Sequence, residues 1–221
     1  MALDPEARTA LEMVLELLAE ERASVSSVTE PARAWRVHVA DSLTGLEIDA
    51  LRDALRIADI GSGAGFPGLA LAAALPAAQV DLIESVGRKC DFIRRAAATA
   101  GISNARVVND RSEALASTSG REAYEAVTAR AVGRLSTLAE LASPLLRDGG
   151  VLIAWKGRRD EEEEAQLANA AESLAMRPEE IRAVGPRAGS EHRHLHVIRK
   201  AGPTPADLPR RPGIAKKRPR G

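Results

Sequence analysis

LRIADIGSGAGFPGLAL, residues 55–71, is the stretch from which the rest of the chain is read. Leu55–Ile60 is a short apolar strand carrying Asp59 near its end. Glycines follow at 61, 63, 65 and 68, and Leu69–Ala72 opens a helix. A tight strand-to-helix turn needs positive φ, and a ligand lying against it needs the missing Cβ, which is why glycine repeats there. The helix points its free N–H groups and positive dipole end back at the turn, a site for anionic or electron-rich ligand groups.

Gly63-x-Gly65-x-x-Gly68 satisfies the dinucleotide fingerprint, which by itself is a weak signal. Gly61 starts the glycine series two residues early, and Asp59 sets a carboxylate at the strand end. A carboxylate there sits poorly beside a pyrophosphate but suits a ligand bearing an ammonium group. S-adenosylmethionine carries one, together with a sulfonium and an adenosine, so Gly61 and Gly63 are cofactor-binding candidates. The alternative is a glycine-rich turn with no ligand.

The 221 residues suit one α/β domain with a small appendage. Hydrophobic residues make up 45% and aromatics only 2%, so the core must be aliphatic. Cys90 is the single cysteine, which excludes an intramolecular disulfide and fits a reducing compartment. No apolar run approaches membrane-spanning length and MALDPEART has no signal-peptide shape, so a soluble cytoplasmic protein without membrane contact is expected. Net charge is zero but unevenly placed: residues 182–221 hold eleven Lys/Arg against two acids, Glu191 and Asp207. That asymmetry points to a basic C-terminal surface meeting a polyanion, or to a solvated basic tail.

Residues 4–22 read as an amphipathic helix, capped by Asp4, with Leu11, Val14, Leu15 and Leu18 on one face. Residues 24–31 read as a loop and 31–46 as a second helix holding His38 and Asp41. Beyond the glycine turn, strand and helix alternate. Strands are predicted at 79–83, 105–108, 124–129 and 151–155, helices at 88–100, 136–146 and 159–175, and a turn at 147–150. The acid run of the last helix reads as a solvated face. Two closing strands, 181–184 and 195–199, have no helix between them and predict an antiparallel hairpin. Alternation of this kind demands a parallel sheet covered on both sides. Ligands in such sheets bind beyond the carboxyl ends of the strands, where strand order reverses. Asp59, Glu84, Ser112-Glu113, Arg130 and Lys156 all fall at such ends. Glu84 lies where an acid accepts hydrogen bonds from ribose hydroxyls.

VHVADSL (37–43), IADIGSGAGFPGLALA (57–72), LIESVGRKCDFIR (82–94), TARAVG (128–133), WKG (155–157), HLHVIRK (194–200) and PRRPGIAKKRP (209–219) together span most of the chain from residue 37. In these motifs the chain resembles the bacterial small-subunit ribosomal RNA guanine-N7 methyltransferases, also called glucose-inhibited division protein B. The resemblance implies a class I S-adenosylmethionine-dependent methyltransferase fold: Rossmann-like, with a mostly parallel seven-stranded sheet and an antiparallel edge hairpin. It divides the chain into an N-terminal helical segment (1–50), a methyltransferase domain (51–201) and a basic tail (202–221). By the same resemblance Gly61 and Phe66 line the cofactor's methionine end, Glu84 takes the ribose, Ser112 and Glu113 lie against the adenine, and Arg130 sits at the mouth. The substrate implied is small-subunit ribosomal RNA or a ribosomal particle, with no obligate protein partner. SVSSVTEPARAW stands where the family's tryptophan–asparagine motif is expected.

Guanine N7 has an in-plane lone pair and no proton, so its methylation needs alignment and no general base. Arg130 and Lys156 are the catalytic candidates, as donors to O6 or clamps on a flanking phosphate, with Arg130 favoured. Arg210, Arg211, Lys216, Lys217 and Arg218, in a Pro/Gly-punctuated stretch not expected to pack as regular structure, are the RNA-binding candidates through phosphate contacts. His192 and His196 admit either metal binding or a packing role, with no metal expected. An NAD-dependent oxidoreductase lacks room for a substrate domain. A methyltransferase of this fold acting on another RNA is an alternative, one acting on a small molecule does not need the basic tail, and a non-catalytic RNA-binding protein does not need the strand-end residues.

Overall fold

The computed structural model describes residues 3–21, 28, 30–185 and 192–221. The expected loop 24–31 and the hairpin connection 185–193 lie largely outside the described residues. The strands are β1 (Arg56–Ile60), β2 (Gln79–Ile83), β3 (Ala105–Val108), β4 (Tyr124–Arg130), β5 (Leu146–Lys156), β6 (Met176–Ala183) and β7 (His194–Lys200). Among the described residues they form one seven-stranded sheet in the order β3-β2-β1-β4-β5-β7-β6. β1 through β5 pair in parallel, whereas β7 runs antiparallel to both β5 and β6. Strand order reverses between β1 and β4, so the crevice lies above the carboxyl end of β1.

The helices are α1 (Pro5–Glu20), α2 (Pro31–Ala34), α3 (Asp41–Leu43), α4 (Asp49–Arg52), α5 (Gly68–Ala74), α6 (Gly87–Thr99), α7 (Ser112–Ala116), α8 (Leu135–Ala142), α9 (Glu161–Ala171) and α10 (Ile214–Lys217). Asp4 caps α1 by accepting from the Glu6 N–H at 2.8 Å, and the helix buries Leu11, Val14, Leu15 and Leu18 as their spacing requires. These side chains pack with Leu69, Leu71, Ile93 and Trp155 on one side of the sheet. Leu135, Leu138, Leu167, Leu174 and the distant Leu208 pack on the other. The aliphatic core that scarce aromatics require is therefore split between both faces, as a sheet with two buried sides demands.

Three expectations change. Residues 31–47 do not form one α-helix: a π-helical stretch, Trp35–Ala40, separates α2 from α3, and a 3-10 turn, Thr44–Glu47, follows. Carbonyls within this run are drawn outward by sheet side chains, since Trp155 Nε1 donates to the Asp41 carbonyl at 2.9 Å and Arg130 to that of Val37 at 2.9 Å. Residues 147–150 are no free turn. They bulge within β5, whose pairing jumps from Tyr124–Leu146 to Ala126–Val151, with Gly149 at φ +73°. β6 starts at Met176, earlier than the periodicity shows, because its edge position admits Pro178 and exposed side chains on most of its length.

Candidate cofactor site

Beyond the carboxyl ends of β1 to β4 lies a cleft of about 340 Å³. The end of β1 brings Ile60 and Gly61, the end of β2 brings Ile83 and Glu84, the first turn of α7 brings Ser112 and Glu113, and the loop after β4 brings Val132. Four of the sequence-derived cofactor residues (Gly61, Glu84, Ser112 and Glu113) thus converge on one space. The opposite side is Thr137 and Leu141 of α8 together with Gly213, Ala215, Lys216 and Lys217.

Glu84 is nearly buried and organises the turn. Its Oε2 accepts from the Gly63 N–H at 3.0 Å and its Oε1 from Val86 N–H at 2.9 Å. A carboxylate has about four acceptor positions, so these two bonds orient it while leaving capacity for ribose hydroxyls. Gly61 holds φ +67°, and a Cβ there meets Val132 Cγ2 at 2.8 Å, so glycine is already required by the protein's own packing. At Gly63 an added Cβ meets nothing nearer than a backbone oxygen at 3.9 Å, so the turn opens onto free space beside Glu84. The mixture suits an adenosine: a carboxylate for the ribose, small polar groups at Ser112 and Thr137, and aliphatic Ile83, Val132 and Leu141 for the purine faces.

Asp59 is not free for a ligand ammonium. It is fully buried, accepts from Gly68 N–H at 3.1 Å and from Thr128 Oγ1 at 2.9 Å, and so ties α5 and β4 to β1. Burial raises its pKa to about 6 against those hydrogen bonds. Phe66 does not line the cleft; its ring stacks on His38 at 5.1 Å between centroids. His38 Nε2 lies 3.1 Å from the Val28 carbonyl and Nδ1 3.4 Å from Arg130 Nη2, an arrangement satisfied by the neutral ring protonated on Nε2. Burial first, and then the Arg130 charge, hold its pKa below the ordinary value.

Arg130 points at the N-terminal helices, bonding Asp41 Oδ2 and the Val37 carbonyl, both at 2.9 Å. Arg193 takes the other Asp41 oxygen at 2.7 Å, so one buried carboxylate holds two guanidinium groups from β4 and from the residue preceding β7. Lys156 Nζ donates to Glu163 Oε1 at 2.6 Å and to the Gly133 carbonyl at 3.1 Å, and Glu163 Oε1 also accepts from Leu135 N–H at 2.7 Å. This network joins β5, α8 and α9.

The C-terminal segment, expected to lack regular packing, is seated. Arg210 forks onto both oxygens of the buried Glu140, and α10 closes a helical turn over the cleft. Two buried carboxylates, Glu113 and Glu140, draw it in. Lys216 and Lys217 line the cleft, while Arg210, Arg211 and Arg218 do not. Sequence reading missed Thr137 and this seating. The available signal was Glu140, a lone acid on the apolar helix LSTLAELA, which requires a cationic partner once buried. Among the described residues no group of three or more His, Cys, Asp or Glu could hold a metal, and no helix is long and apolar enough to cross a membrane.

Sheet order, glycine turn and cleft define the fold of S-adenosylmethionine-dependent methyltransferases. A solved S-adenosylmethionine-dependent methyltransferase from Aquifex aeolicus shares that fold, with TM-score 0.59 at 15% identity over 81% of this chain and 98% of that one. A variant of MtNAS solved in complex with S-adenosylmethionine matches with TM-score 0.59 at 12% identity, covering 88% and 73%. The particular family follows from sequence. The family model described as rRNA small subunit methyltransferase G matches residues 8–195, and the chain belongs to that family. The ribosomal RNA small subunit methyltransferase G of Rubrobacter xylanophilus is 42% identical over 94% of this chain and 81% of its own length. That of Moorella thermoacetica is 34% identical over 99% and 92%.

Proposed function

We propose that this chain is a cytoplasmic enzyme that methylates N7 of a guanine in small-subunit (16S) ribosomal RNA, with S-adenosylmethionine as donor. The observation that carries the reading is the joint one: family membership, and a cleft at the strand-order switch where Gly61, Glu84, Ser112 and Glu113 meet. When bound, S-adenosylmethionine supplies an electrophilic methyl group. Glu84 would hold the ribose, Ser112 and Glu113 would border the adenine, and Gly61 and Gly63 would shape the turn under the methionine end. Phe66, stacked on His38, would brace that turn from behind.

Guanine N7 needs no deprotonation, so the chain's task is to hold the base rigidly, and alignment of this kind is worth roughly 7–11 kcal/mol of barrier. Arg130, clamped by Asp41 and Val37, is the rigid donor we assign to the target side. Lys156, engaged by Glu163, positions the loop after β4 and reaches guanine or phosphate only through that network. Because the N7 edge of duplex RNA faces a deep narrow groove, the target is an unpaired or extruded guanine. Arg211, Lys216, Lys217 and Arg218 would supply phosphate contacts, whereas the Arg210 guanidinium is taken by Glu140.

The test is methyl transfer from labelled S-adenosylmethionine to naked small-subunit RNA and to isolated small subunits, with the modified base mapped. Label on N7 of one guanine is expected, and the preferred substrate form decides between RNA and particle. Label on another atom, or none on either substrate, overturns the reading.

A further inference from the structure

The residues that complete the cleft come from a stretch whose composition assigns it elsewhere. Arg210 pairs with Glu140 through two bonds of 2.5 Å, and its Nη2 also takes the Arg218 carbonyl at 2.8 Å, closing the segment on itself. Gly213 donates its N–H to Glu113 Oε1 at 2.7 Å, while Ser112 Oγ lies 3.2 Å from Oε2 of the same carboxylate. The Ala215 carbonyl lies 3.4 Å from Thr137 Oγ1. These contacts rest on α7 and α8, the two helices that border the cleft, and they set Gly213, Ala215, Lys216 and Lys217 opposite Ile83 and Glu84.

We infer that the segment Arg210–Arg218 is one wall of the cofactor site, held there by an Arg210–Glu140 latch, and binds S-adenosylmethionine in its own right. Three physical points support this. Glu113, placed beside the adenine, is oriented by a tail backbone N–H, so its position depends on the tail being seated. Glu113 and Glu140 are both buried, and a displaced tail strands Glu140 without its cationic partner, which favours the seated form. Ala215 is buried against Thr137 while Lys216 and Lys217, which also line the cleft, stay exposed, so the wall joins an apolar seat to two solvated cations. A bound adenosine would fill the gap between this wall and the β2 end, tightening contacts already made on both sides.

The inference rests on the proposed cofactor, and the experiment separates the two. Full-length protein is titrated calorimetrically with S-adenosylmethionine as wild type, as Arg210→Gln, and as Arg8→Gln, which removes an exposed cation on α1 far from the cleft. Arg210→Gln should bind at least five-fold more weakly, with Arg8→Gln unchanged. In parallel, wild type is digested briefly with trypsin with and without S-adenosylmethionine. Cleavage after the exposed Lys216 and Lys217 should slow several-fold on binding, while cleavage after Arg182 on edge strand β6 should not. Wild type that fails to bind S-adenosylmethionine overturns the function proposed above. Wild type that binds it, with neither protection at Lys216 and Lys217 nor weakening in Arg210→Gln, overturns only the wall.

Discussion

The two walls of the cleft are built differently. The inner wall joins Gly61 and Glu84, at the ends of adjacent parallel strands, to Ser112 and Glu113 of α7, and the buried Glu84 carboxylate holds the glycine turn by backbone bonds. The outer wall comes from α8 and from a segment that reaches Glu113 across 100 residues of chain. Its seat is one ion pair and a few single hydrogen bonds. Gly61 and Glu84 cannot shift without disturbing the sheet, whereas the tail segment is held by bonds that can open while the sheet and α8 stay folded, as local opening of weakly held segments allows. Damage on the inner side should therefore appear as lost stability, and damage on the outer side as lost binding.

The largest stability loss is expected for Arg130→Ala, at the end of the inner strand β4. It removes a buried partner of Asp41 and two ties to the N-terminal helices, and breaking a buried pair costs about 3–5 kcal/mol. Urea unfolding measures it. A loss under about 1 kcal/mol would show that Arg193 alone secures Asp41 and that the N-terminal helices are as loosely held as the outer wall.

Asp59 gives a pH signature of the same inner side. Its folded pKa of about 6 lies above the ordinary 3.8, so ionising it opposes folding. The associated stability is fully present below about pH 3.8 and is lost as pH rises through 6, by up to roughly 3 kcal/mol for two units. Asp59→Asn has no such titration. Its stability relative to wild type should rise between pH 4 and 6 and then level off. A flat difference across that window would mean that Asp59 titrates normally despite its burial.

Glu84→Ala sits on the inner wall yet faces the cleft, so it should register in both ways. Gly63 and Val86 lose their acceptors, lowering the midpoint of unfolding. S-adenosylmethionine affinity should fall ten- to a hundred-fold, roughly 1.5–3 kcal/mol for a charge-assisted hydrogen bond. Unchanged calorimetric affinity in a folded variant would leave Glu84 as a brace of the turn alone.

The smallest stability effect belongs to the outer wall. Replacing Lys216 and Lys217 together by Gln should leave unfolding unchanged, because both side chains are exposed. The slope of log RNA affinity against log salt should flatten by up to about two for the pair. A salt series on wild type and variant checks it, and an unaltered slope would remove these lysines from the RNA contacts.

Much of this could be read from residues alone. The strand Leu55–Ile60, the glycines after it and Glu84 at the next strand end are short-range features: turn chemistry needs particular residues in sequence, and a parallel sheet needs alternating apolar strands and helices. The family's motifs lie in the same stretches. Tertiary structure alone decided the rest. Asp41 accepts from Arg130 across 89 residues and from Trp155 across 114, and Glu113 accepts from Gly213 across 100. No local period or turn signal encodes such pairs. The bulge at 147–150 and the seated tail are of the same kind. Arg147-Asp148-Gly149-Gly150 looks like a turn until β4 offers it a register, and PRRPGIAKK looks like a loose basic tail until Glu140 and Glu113 are buried beside it. The sequence determined which residues could bond; only closure of the sheet, which buries carboxylates that then require partners, decided which of them did.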